Sequence, residues 1–358
     1  MEREYRICSK CVMDTTDPKI TFDENGVCTH CRRFDKHYKQ LMDSIGDKQV
    51  AFDKIIKNVT EEGKDKKYDA ILGVSGGVDS SYLAYYLSTL KLRILCVHVD
   101  CGWNSELAQK NIEHIVKKCG HDLYTHILDW EEFKDIQKAF IKSSVVDLEI
   151  PTDHSVFSVL YKIADLKDIK YIMFATNSVS EFTMPFSWNY PKFDALNILA
   201  IHNKFGSMKM DTYPLLDPNK LYYYQHIKKI QFLYLLNYMY YNLNEAKKLL
   251  VEKLGWRDYG GKHYESIYTR FYQGYILPKK YNIDKRRAHL SNLIQSKQIT
   301  REEGLSLLKE NYYSEKMQKE DKKYVLKKLG YSEEEFQEIM NEKPKSHFDY
   351  PCGLLPRV

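Results

Sequence analysis

The 358-residue sequence lacks several features that would assign it to a membrane or a secretory route. It contains no run of about 18 apolar residues, so it predicts no membrane-spanning helix. The N-terminal stretch MEREYRICSK has no apolar core of the kind found in a signal peptide. We therefore expect a cytoplasmic protein. A dense basic patch is also missing, since 54 Lys and Arg residues against 49 Asp and Glu give a net charge of +5. That balance does not favour a dedicated nucleic-acid-binding protein.

A lysine is missing from the most informative motif. The segment ILGVSGGVDSSYLAYYL (71–87) joins an apolar strand pattern to a helical one, but no lysine follows its glycines as it does in a P-loop. A loop at a helix N-terminus still offers free N–H groups and a favourable dipole to an anion. Asp79 suits a magnesium ligand or a residue that orients the loop. The alternative is an ordinary Ser/Asp helix cap. We predict a nucleotide-binding loop formed by Ser75, Gly76, Gly77, Val78, Asp79, Ser80 and Ser81.

Cytoplasmic proteins rarely contain disulfides, so the eight cysteines need another explanation. Four of them form two C-x-x-C pairs with sixteen residues between the pairs, a spacing typical of a four-cysteine zinc site. Asn25-Gly26 before the second pair predicts a hairpin turn. An iron–sulfur cluster or a redox dithiol is the alternative. The predicted zinc ligands are Cys8, Cys11, Cys28 and Cys31.

Short apolar runs alternate with helical patterns between about residues 68 and 217. The predicted strands, each apolar on both faces, are 69–74, 92–99, 123–128 and 171–176. This alternation predicts a doubly wound, mainly parallel α/β sheet, in which ligands bind beyond the carboxyl ends of the strands. The predicted organisation is a zinc ribbon (1–37), a linker helix (38–66), the α/β domain (67–217) with a last strand near its end, a helical domain (218–340) and a C-terminal tail (341–358).

The loop SGGVDS resembles the pyrophosphate loop of the N-type ATP pyrophosphatases, also called the PP-loop superfamily. The resemblance implies that ATP binds with magnesium, that its β- and γ-phosphates leave as pyrophosphate, and that AMP is transferred. It also implies that Val99 and Asp100, at the end of the second strand, lie near the adenosine. Asn177 and Ser178 follow the strand 171–176, so we expect them to line the same cleft.

Both ends of the chain resemble the N-acetyl sugar amidotransferases of lipopolysaccharide and flagellar-glycan synthesis, the WbpG and PseA type. The matching segments are 8–31, 262–305 and the closing FDYP, and the MDTTDP stretch favours the lipopolysaccharide branch. The resemblance implies attack of an acetamido oxygen on the α-phosphate of ATP, followed by replacement of AMP by ammonia. The expected substrate is a nucleotide-linked N-acetyl sugar, and the expected product is an acetamidino sugar.

The sequence shows no glutaminase nucleophile of its own. Glu2 stands where an N-terminal nucleophile would need cysteine, Cys352 has no following helix, and Cys101 lacks a glycine-flanked elbow. We therefore expect a separate glutaminase to supply ammonia. The family resemblance implies a HisH-like subunit, with a HisF-like protein as a possible companion.

Several residues in the second half of the chain are candidates for the site. Lys285, Arg286 and Arg287 would supply cations for phosphates, although such a run is commonly a solvated helix face. His263 would contact substrate or accept a proton, and a surface histidine is the alternative. Lys262 and the pair Trp188-Asn189 are predicted to contact the substrate, although loop aromatics are as often packing residues. Asp79, His263, Lys285 and Arg286 are the predicted catalytic residues.

Two other functions compete with this prediction. A tRNA-thiolating pyrophosphatase could also carry a zinc ribbon, but such enzymes usually add catalytic cysteines, and the spacing of Cys101 and Cys119 fits poorly. A non-catalytic nucleotide-binding assembly protein is the second alternative. The intact Ser75, Asp79 and Ser80 argue against it.

Overall fold

The computed structural model describes residues 4–353, which contain a five-stranded parallel sheet. Its strands are β1 (Ala70–Gly73), β2 (Ile94–Asp100), β3 (Asp122–Ile127), β4 (Tyr171–Met173) and β5 (Gln231–Leu233). The order across the sheet is β3-β2-β1-β4-β5, and every neighbouring pair is parallel. The chain therefore changes direction across the sheet between β1 and β4, which is where ligands bind in such folds.

Helices surround the sheet and form most of the C-terminal third. The helices are α1 (Thr29–Ile45), α2 (Lys48–Gly63), α3 (Val78–Thr89), α4 (Glu106–Cys119), α5 (Trp130–Ser143), α6 (Ile150–Leu166), α7 (Ala195–Phe205), α8 (Pro218–Tyr222), α9 (Leu243–Leu249), α10 (Ile267–Phe271), α11 (Leu277–Tyr281), α12 (Arg286–Gln295), α13 (Arg301–Lys309), α14 (Glu315–Leu329) and α15 (Glu333–Asn341). Short π-helical turns extend α8, α9 and α10. Helices α13 and α15 begin with capping boxes. No helix within residues 4–353 is long and apolar enough to cross a membrane.

The two faces of the sheet are buried in separate hydrophobic cores. Successive strand residues point to opposite faces, so Ile71 packs with the α6 side while Leu72 packs with the α3 and α4 side. Helix α6 contacts β1, β2 and β4, and α3 lies against α4 and α9. Burial on both faces explains why β1 and β2 are continuous apolar runs rather than alternating ones.

The N-terminal segment forms a small ribbon built on isolated antiparallel bridges. Ile7 pairs with Asp14, and Phe22 pairs with Cys28 across the predicted Asn-Gly turn, where Gly26 has a φ of +77°. The ribbon packs against the C-terminal helices rather than against the sheet. The Arg301 side chain donates to the carbonyl oxygens of Cys8 and Cys11, and Ser291 Oγ accepts from Val12 N at 3.3 Å.

The predicted fold class is confirmed: a parallel α/β sheet, an N-terminal cysteine cluster and a helical C-terminal region are all present. Two details differ. The fifth strand is β5, at 231–233 inside the predicted helical region, and the stretch before residue 217 forms no strand. Strand β3 was expected to be buried on both faces, but it is an edge strand, and 72% of Ile127 is exposed.

Candidate active site

The SGGVDSS loop lies between the carboxyl end of β1 and the first turn of α3. Gly77 caps α3, Ser75 N donates to Ser80 Oγ at 3.3 Å, and Gly77 N donates to Ser75 Oγ at 3.2 Å. Gly76 has a φ of +81°, and a Cβ there would lie 2.9 Å from the carbonyl oxygen of Ala108. Because the loop needs glycine at 76 and presents a helix N-terminus, it fits an anionic ligand.

One loop hydroxyl is left without a partner. Ser81 Oγ is buried and makes no hydrogen bond within residues 4–353. Unpaired buried hydroxyls are uncommon in folded proteins and are costly to leave unpaired. Ser81 lines a cavity of about 10 Å³ against α4, with Ile112, Ile115 and Val116, so this hydroxyl does not by itself indicate a phosphate ligand.

A second segment, residues 256–265, lies over the phosphate loop, and we call it the covering segment. The Trp256 indole donates to the carbonyl oxygen of Gly76 at 2.9 Å, and the Tyr259 hydroxyl donates to the same oxygen at 3.4 Å. Gly260, with a φ of +86°, turns the segment back over the loop. The segment thereby brings Lys262 and His263 to the carboxyl edge of the sheet.

Asp79 lies beneath the covering segment and is paired on two sides. The Tyr241 hydroxyl donates to Asp79 Oδ1, and Lys262 Nζ lies 3.8 Å from Asp79 Oδ2. Burial raises the pKa of the Asp79 carboxyl, and the charge of Lys262 opposes that rise. A carboxylate next to an anion-binding loop is the kind of ligand that magnesium takes in nucleotide sites.

Two glutamates that the sequence analysis did not single out surround His263. Glu181, on the loop after β4, lies 2.8 Å from Lys262 Nζ and 3.5 Å from His263 Nε2, while Glu265 lies 3.6 Å from His263 Nδ1. Burial alone would lower the pKa of His263, but the two carboxylates outweigh it and raise that pKa to about 9. His263 is therefore a cation at neutral pH, together with Lys262.

The ends of β2 and β4 position the predicted adenosine-side residues. Val99 is buried, and Asp100 Oδ1 accepts from Gly102 N at 2.8 Å and from Asn104 at 3.1 Å. Asn177 Oδ1 accepts from the backbone N–H groups of Val179 and Ser180, each at 3.0 Å. Asp100 and Asn177 thus shape the two loops that border the cleft.

Ser178 and Cys101 are also held at these strand ends. Ser178 is buried, and its backbone N–H donates to Asn237 at 2.8 Å. The Cys101 thiol lies 3.9 Å from Ser155 Oγ, and burial raises its pKa to about 12. A thiol with so high a pKa is protonated at neutral pH, so it is not an activated nucleophile.

The three consecutive cations at 285–287 separate in space. Lys285 lies 3.6 Å from Glu149 in the interior, whereas Arg286 pairs with Asp284 on the surface. Arg287 lies 2.9 Å from the buried Asp14 of the ribbon. Lys285 is also one of the charged groups that act on His289 of α12.

Trp188 and Asn189, the pair predicted to contact the substrate, differ in their exposure to solvent. Trp188 is 1% exposed, and its indole N–H has no partner within the described part of the chain. Asn189 is half-buried beside it. A cavity of about 420 Å³ opens elsewhere, next to β5, among Phe157, Tyr161 and Phe232, and contains none of the predicted site residues.

The four predicted zinc ligands are buried and converge on one point. Their sulfur atoms all lie within 4.8 Å of one another, with 3.8 Å between Cys8 and Cys31 and 3.7 Å between Cys11 and Cys28. Thiolates about 2.3 Å from a tetrahedral zinc ion would be about 3.8 Å apart. Gln295 Nε2 also donates to Cys31 Sγ at 3.2 Å. The cluster therefore fits a closed structural zinc site.

Sequence motifs could not have identified all members of the site. Glu181 and Glu265 follow no motif, and His289 lies on α12 just after the charge run at 285–287. Its ring centroid lies 5.4 Å from that of His263. Of these residues, the sequence could have indicated only Glu181, because it follows the end of a strand and loops at that edge of the sheet line the cleft.

The five-stranded parallel sheet and the SGGVDSS loop between β1 and α3 agree with the fold that the resemblance to PP-loop ATP pyrophosphatases implies. Residues 265–354 match the family model described as "LPS biosynthesis protein WbpG-like, C-terminal domain". The predicted resemblance to WbpG-type proteins is confirmed by that match, and the chain carries a WbpG-like C-terminal domain.

Other similarities are partial. A tRNA(Ile)-lysidine synthase of Chlamydia trachomatis is 35% identical over 71 residues, which are 20% of this chain and 22% of that protein. The match thus spans about a fifth of the curated relative's length. NH3-dependent NAD synthetase from Campylobacter jejuni aligns over 57% of this chain and 84% of its own, with 18% identity and a TM-score of 0.31. NMN synthetase from Francisella tularensis aligns over 51% and 71%, with 13% identity and a TM-score of 0.29.

Proposed function

We propose that this chain is an ATP-using, AMP-forming amidotransferase. Its substrate is a nucleotide-linked N-acetyl sugar, whose acetamido group it converts into an acetamidino group. The nitrogen comes as ammonia from a separate glutaminase of the HisH-like type. The product serves the synthesis of lipopolysaccharide or a related surface glycan.

One observation carries the proposal: the WbpG-like domain and the phosphate loop meet in a single site. The domain match begins at Glu265, which ends the covering segment over the loop, and it includes Lys285 and His289. Lys262, just before the match, lies 3.8 Å from Asp79 of the loop. The WbpG-like region thus begins beside the loop at which we expect the ATP phosphates to bind.

The chemistry requires a good leaving group on a poorly reactive amide. The acetamido oxygen attacks the α-phosphorus, the bond to the β-phosphate oxygen breaks, and pyrophosphate leaves. Ammonia then adds to the amide carbon, one proton is lost from the added nitrogen, and the bond to AMP breaks. The loop amides and Lys262 are placed to hold the phosphates, and the remaining task is to align the reactants. Asp79 would hold a magnesium ion, which would neutralise phosphate charge.

The proposal is tested by incubating the zinc-loaded protein with ATP, ammonium chloride and a panel of UDP- and CMP-linked diacetamido sugars. We expect release of AMP and pyrophosphate that requires one of these sugars, and a product whose mass shows replacement of one oxygen by NH. An Asp79→Asn variant should lose the release, while Asp53→Asn, an exposed position on α2, should retain it. Turnover that is indifferent to the sugar would contradict the proposal.

A second candidate is a tRNA-modifying enzyme, favoured by the match to tRNA(Ile)-lysidine synthase over 71 residues. The net charge of +5 is spread over a large chain, which weighs against an RNA surface. Adding bulk tRNA in place of the sugar distinguishes the two. Release of AMP that depends on tRNA would replace the sugar proposal.

A further inference from the structure

His289 is a half-buried histidine whose two ring nitrogens both lie in the interior. Both nitrogens are inaccessible to water and have no partner among residues 4–353. A neutral imidazole carries one N–H donor and one acceptor nitrogen, and both normally find partners when buried. A histidine orphaned at both nitrogens beside a charged cleft is therefore a group that a ligand would complete.

The ring is held in place from two sides of its helix. Asn292, almost one turn further along α12, accepts from Thr183 N at 2.8 Å and donates to Thr183 O at 3.0 Å. Arg287, on the preceding turn, pairs with Asp14 of the ribbon at 2.9 Å. These contacts fix α12 against both the ribbon and the loop that carries Glu181, so the position of the ring is determined by packing.

The charged groups facing His289 come from three segments. They are Lys262 and His263 of the covering segment, Glu181 of the loop after β4, and Lys285 just before α12. Burial and then the charges of Lys262 and His263 lower the pKa of His289 well below its usual value. Glu181 opposes this, but it is shared between Lys262 and His263. The two neighbouring histidines thus differ in charge at neutral pH: His263 is a cation and His289 is neutral.

We propose that His289 contacts the attacking nitrogen nucleophile and accepts the proton that this nitrogen loses. The inference rests on the proposed amidotransferase function and deepens it. Ammonia forms a bond to the carbon of the adenylylated acetamido group through its lone pair, which leaves the added nitrogen positively charged. One N–H proton passes to a free ring nitrogen of His289, and the C–O bond to AMP then breaks with its electron pair on AMP. The sugar keeps the protonated amidine.

Other groups near the site are less suited to this role. His263 was the sequence candidate for proton acceptor, but its ring is protonated below about pH 9. Glu181 pairs with both Lys262 and His263, and Glu265 pairs with His263. Glu265 Oε2 is also buried without a partner in residues 4–353, but Glu265 pairs with the His263 cation through its other oxygen, whereas neither ring nitrogen of His289 is paired. The nitrogen that gains charge during attack is a much stronger acid than ammonium, because the carbon that it joins carries two other electron-withdrawing atoms.

The test separates the two halves of the reaction in a His289→Gln variant of the zinc-loaded protein. Glutamine preserves size and hydrogen bonding but cannot accept a proton. We expect the sugar-dependent exchange of labelled pyrophosphate into ATP to stay within about two-fold of wild type. The ammonia-dependent release of AMP should fall by about 10²–10⁴-fold, the usual contribution of a general base. The matched control is His114→Gln, at an exposed position on α4.

Hydroxylamine and added imidazole sharpen the result. Hydroxylamine is less basic than ammonia, so the nitrogen that it adds loses its proton more readily and the defect of His289→Gln should shrink. Imidazole should partly restore a His289→Gly variant, in which space is left for it. Equal loss of exchange and of AMP release would assign His289 a structural role and overturn the inference. Unchanged ammonia kinetics would do the same.

A measurement without substrate keeps the inference separate from the proposed function. If wild type exchanges pyrophosphate with none of the sugars, the proposed function fails, but the charge of His289 can still be read. Nitrogen-15 spectra of the imidazoles, assigned with His289→Gln, should show a neutral His289 ring from pH 6 to 8. A His289 signal that is protonated at pH 7 would refute the role as proton acceptor.

Discussion

Replacing Gly76 by alanine should damage the phosphate loop far more than an equivalent change elsewhere. Gly76 has a φ of +81°, and an added Cβ would lie 2.9 Å from Ala108 O and 3.2 Å from Ile112 Cγ1. The left-handed backbone costs about 1–2 kcal/mol for a residue with a side chain. Crowding against a helix backbone adds about 1–3 kcal/mol. We expect a loss in the free energy of unfolding of about 2–5 kcal/mol.

Gly120 provides a matched control at the end of the same helix that Gly76 approaches. It has a φ of +69°, but an added Cβ would meet no atom within 4 Å. Gly120→Ala should therefore show only the conformational cost of about 1–2 kcal/mol. The difference between the two variants isolates the close approach of the loop to α4.

Thermal unfolding with and without ATP measures both effects. ATP at 100 times its dissociation constant should stabilise wild type and Gly120→Ala by about 2.7 kcal/mol. The Gly76→Ala variant should lose this gain, because its loop can no longer hold the backbone conformation that faces the phosphates. Equal destabilisation of the two variants would refute the close approach of the loop to α4. A full ATP-dependent gain in Gly76→Ala would refute the assignment of this loop as the phosphate site.

The remaining predictions concern the ribbon and the charged cluster. Removing the metal with a strong chelator should lower the melting temperature and, because α12 loosens, change the nitrogen-15 shifts of His289. The Cys28→Ser variant should show both effects before any chelator is added. An unchanged spectrum would argue against coupling between the ribbon and His289. For Glu181→Gln, the raised pKa of His263 sets the pH window. The stabilisation that protonated His263 gives to the folded state is complete below about pH 6.5 and is lost as the pH rises through about 9. The difference in melting temperature from wild type should therefore shrink across that interval, and a difference that grows towards pH 9 would contradict the pairing.

The loop and the four-cysteine cluster were predictable because both depend on short, local patterns. The sequence around Gly76 combines an apolar strand, two glycines and a helix start, and each part has one structural meaning. The four cysteines have a spacing that only a few kinds of site use. The sheet followed from the same kind of evidence, since β1 and β2 are long apolar runs.

Other features depend on contacts between distant parts of the chain. Strand β5 has only three residues, and the sequence around it has a helical pattern. The strand is stabilised by its parallel pairing with β4, which the local sequence does not show. The sequence could not show that the three cations at 285–287 have different partners, because Arg287 pairs with Asp14, which is 273 positions away. His289 carried no motif, and its significance comes from the groups that the fold places around it.

Because the ribbon packs against α12, it supports more of the structure than itself. On one side of this helix, Ser291 Oγ accepts a hydrogen bond from Val12 N, and Gln295 Nε2 donates one to Cys31 Sγ. On another side, the His289 ring lies next to that of His263. We therefore expect the first part of the chain and residues 286–295 to unfold together, although almost the whole sequence separates them. A shortened chain that starts at the sheet would keep every residue of the phosphate loop, yet it would lose the support that fixes the second wall of the site.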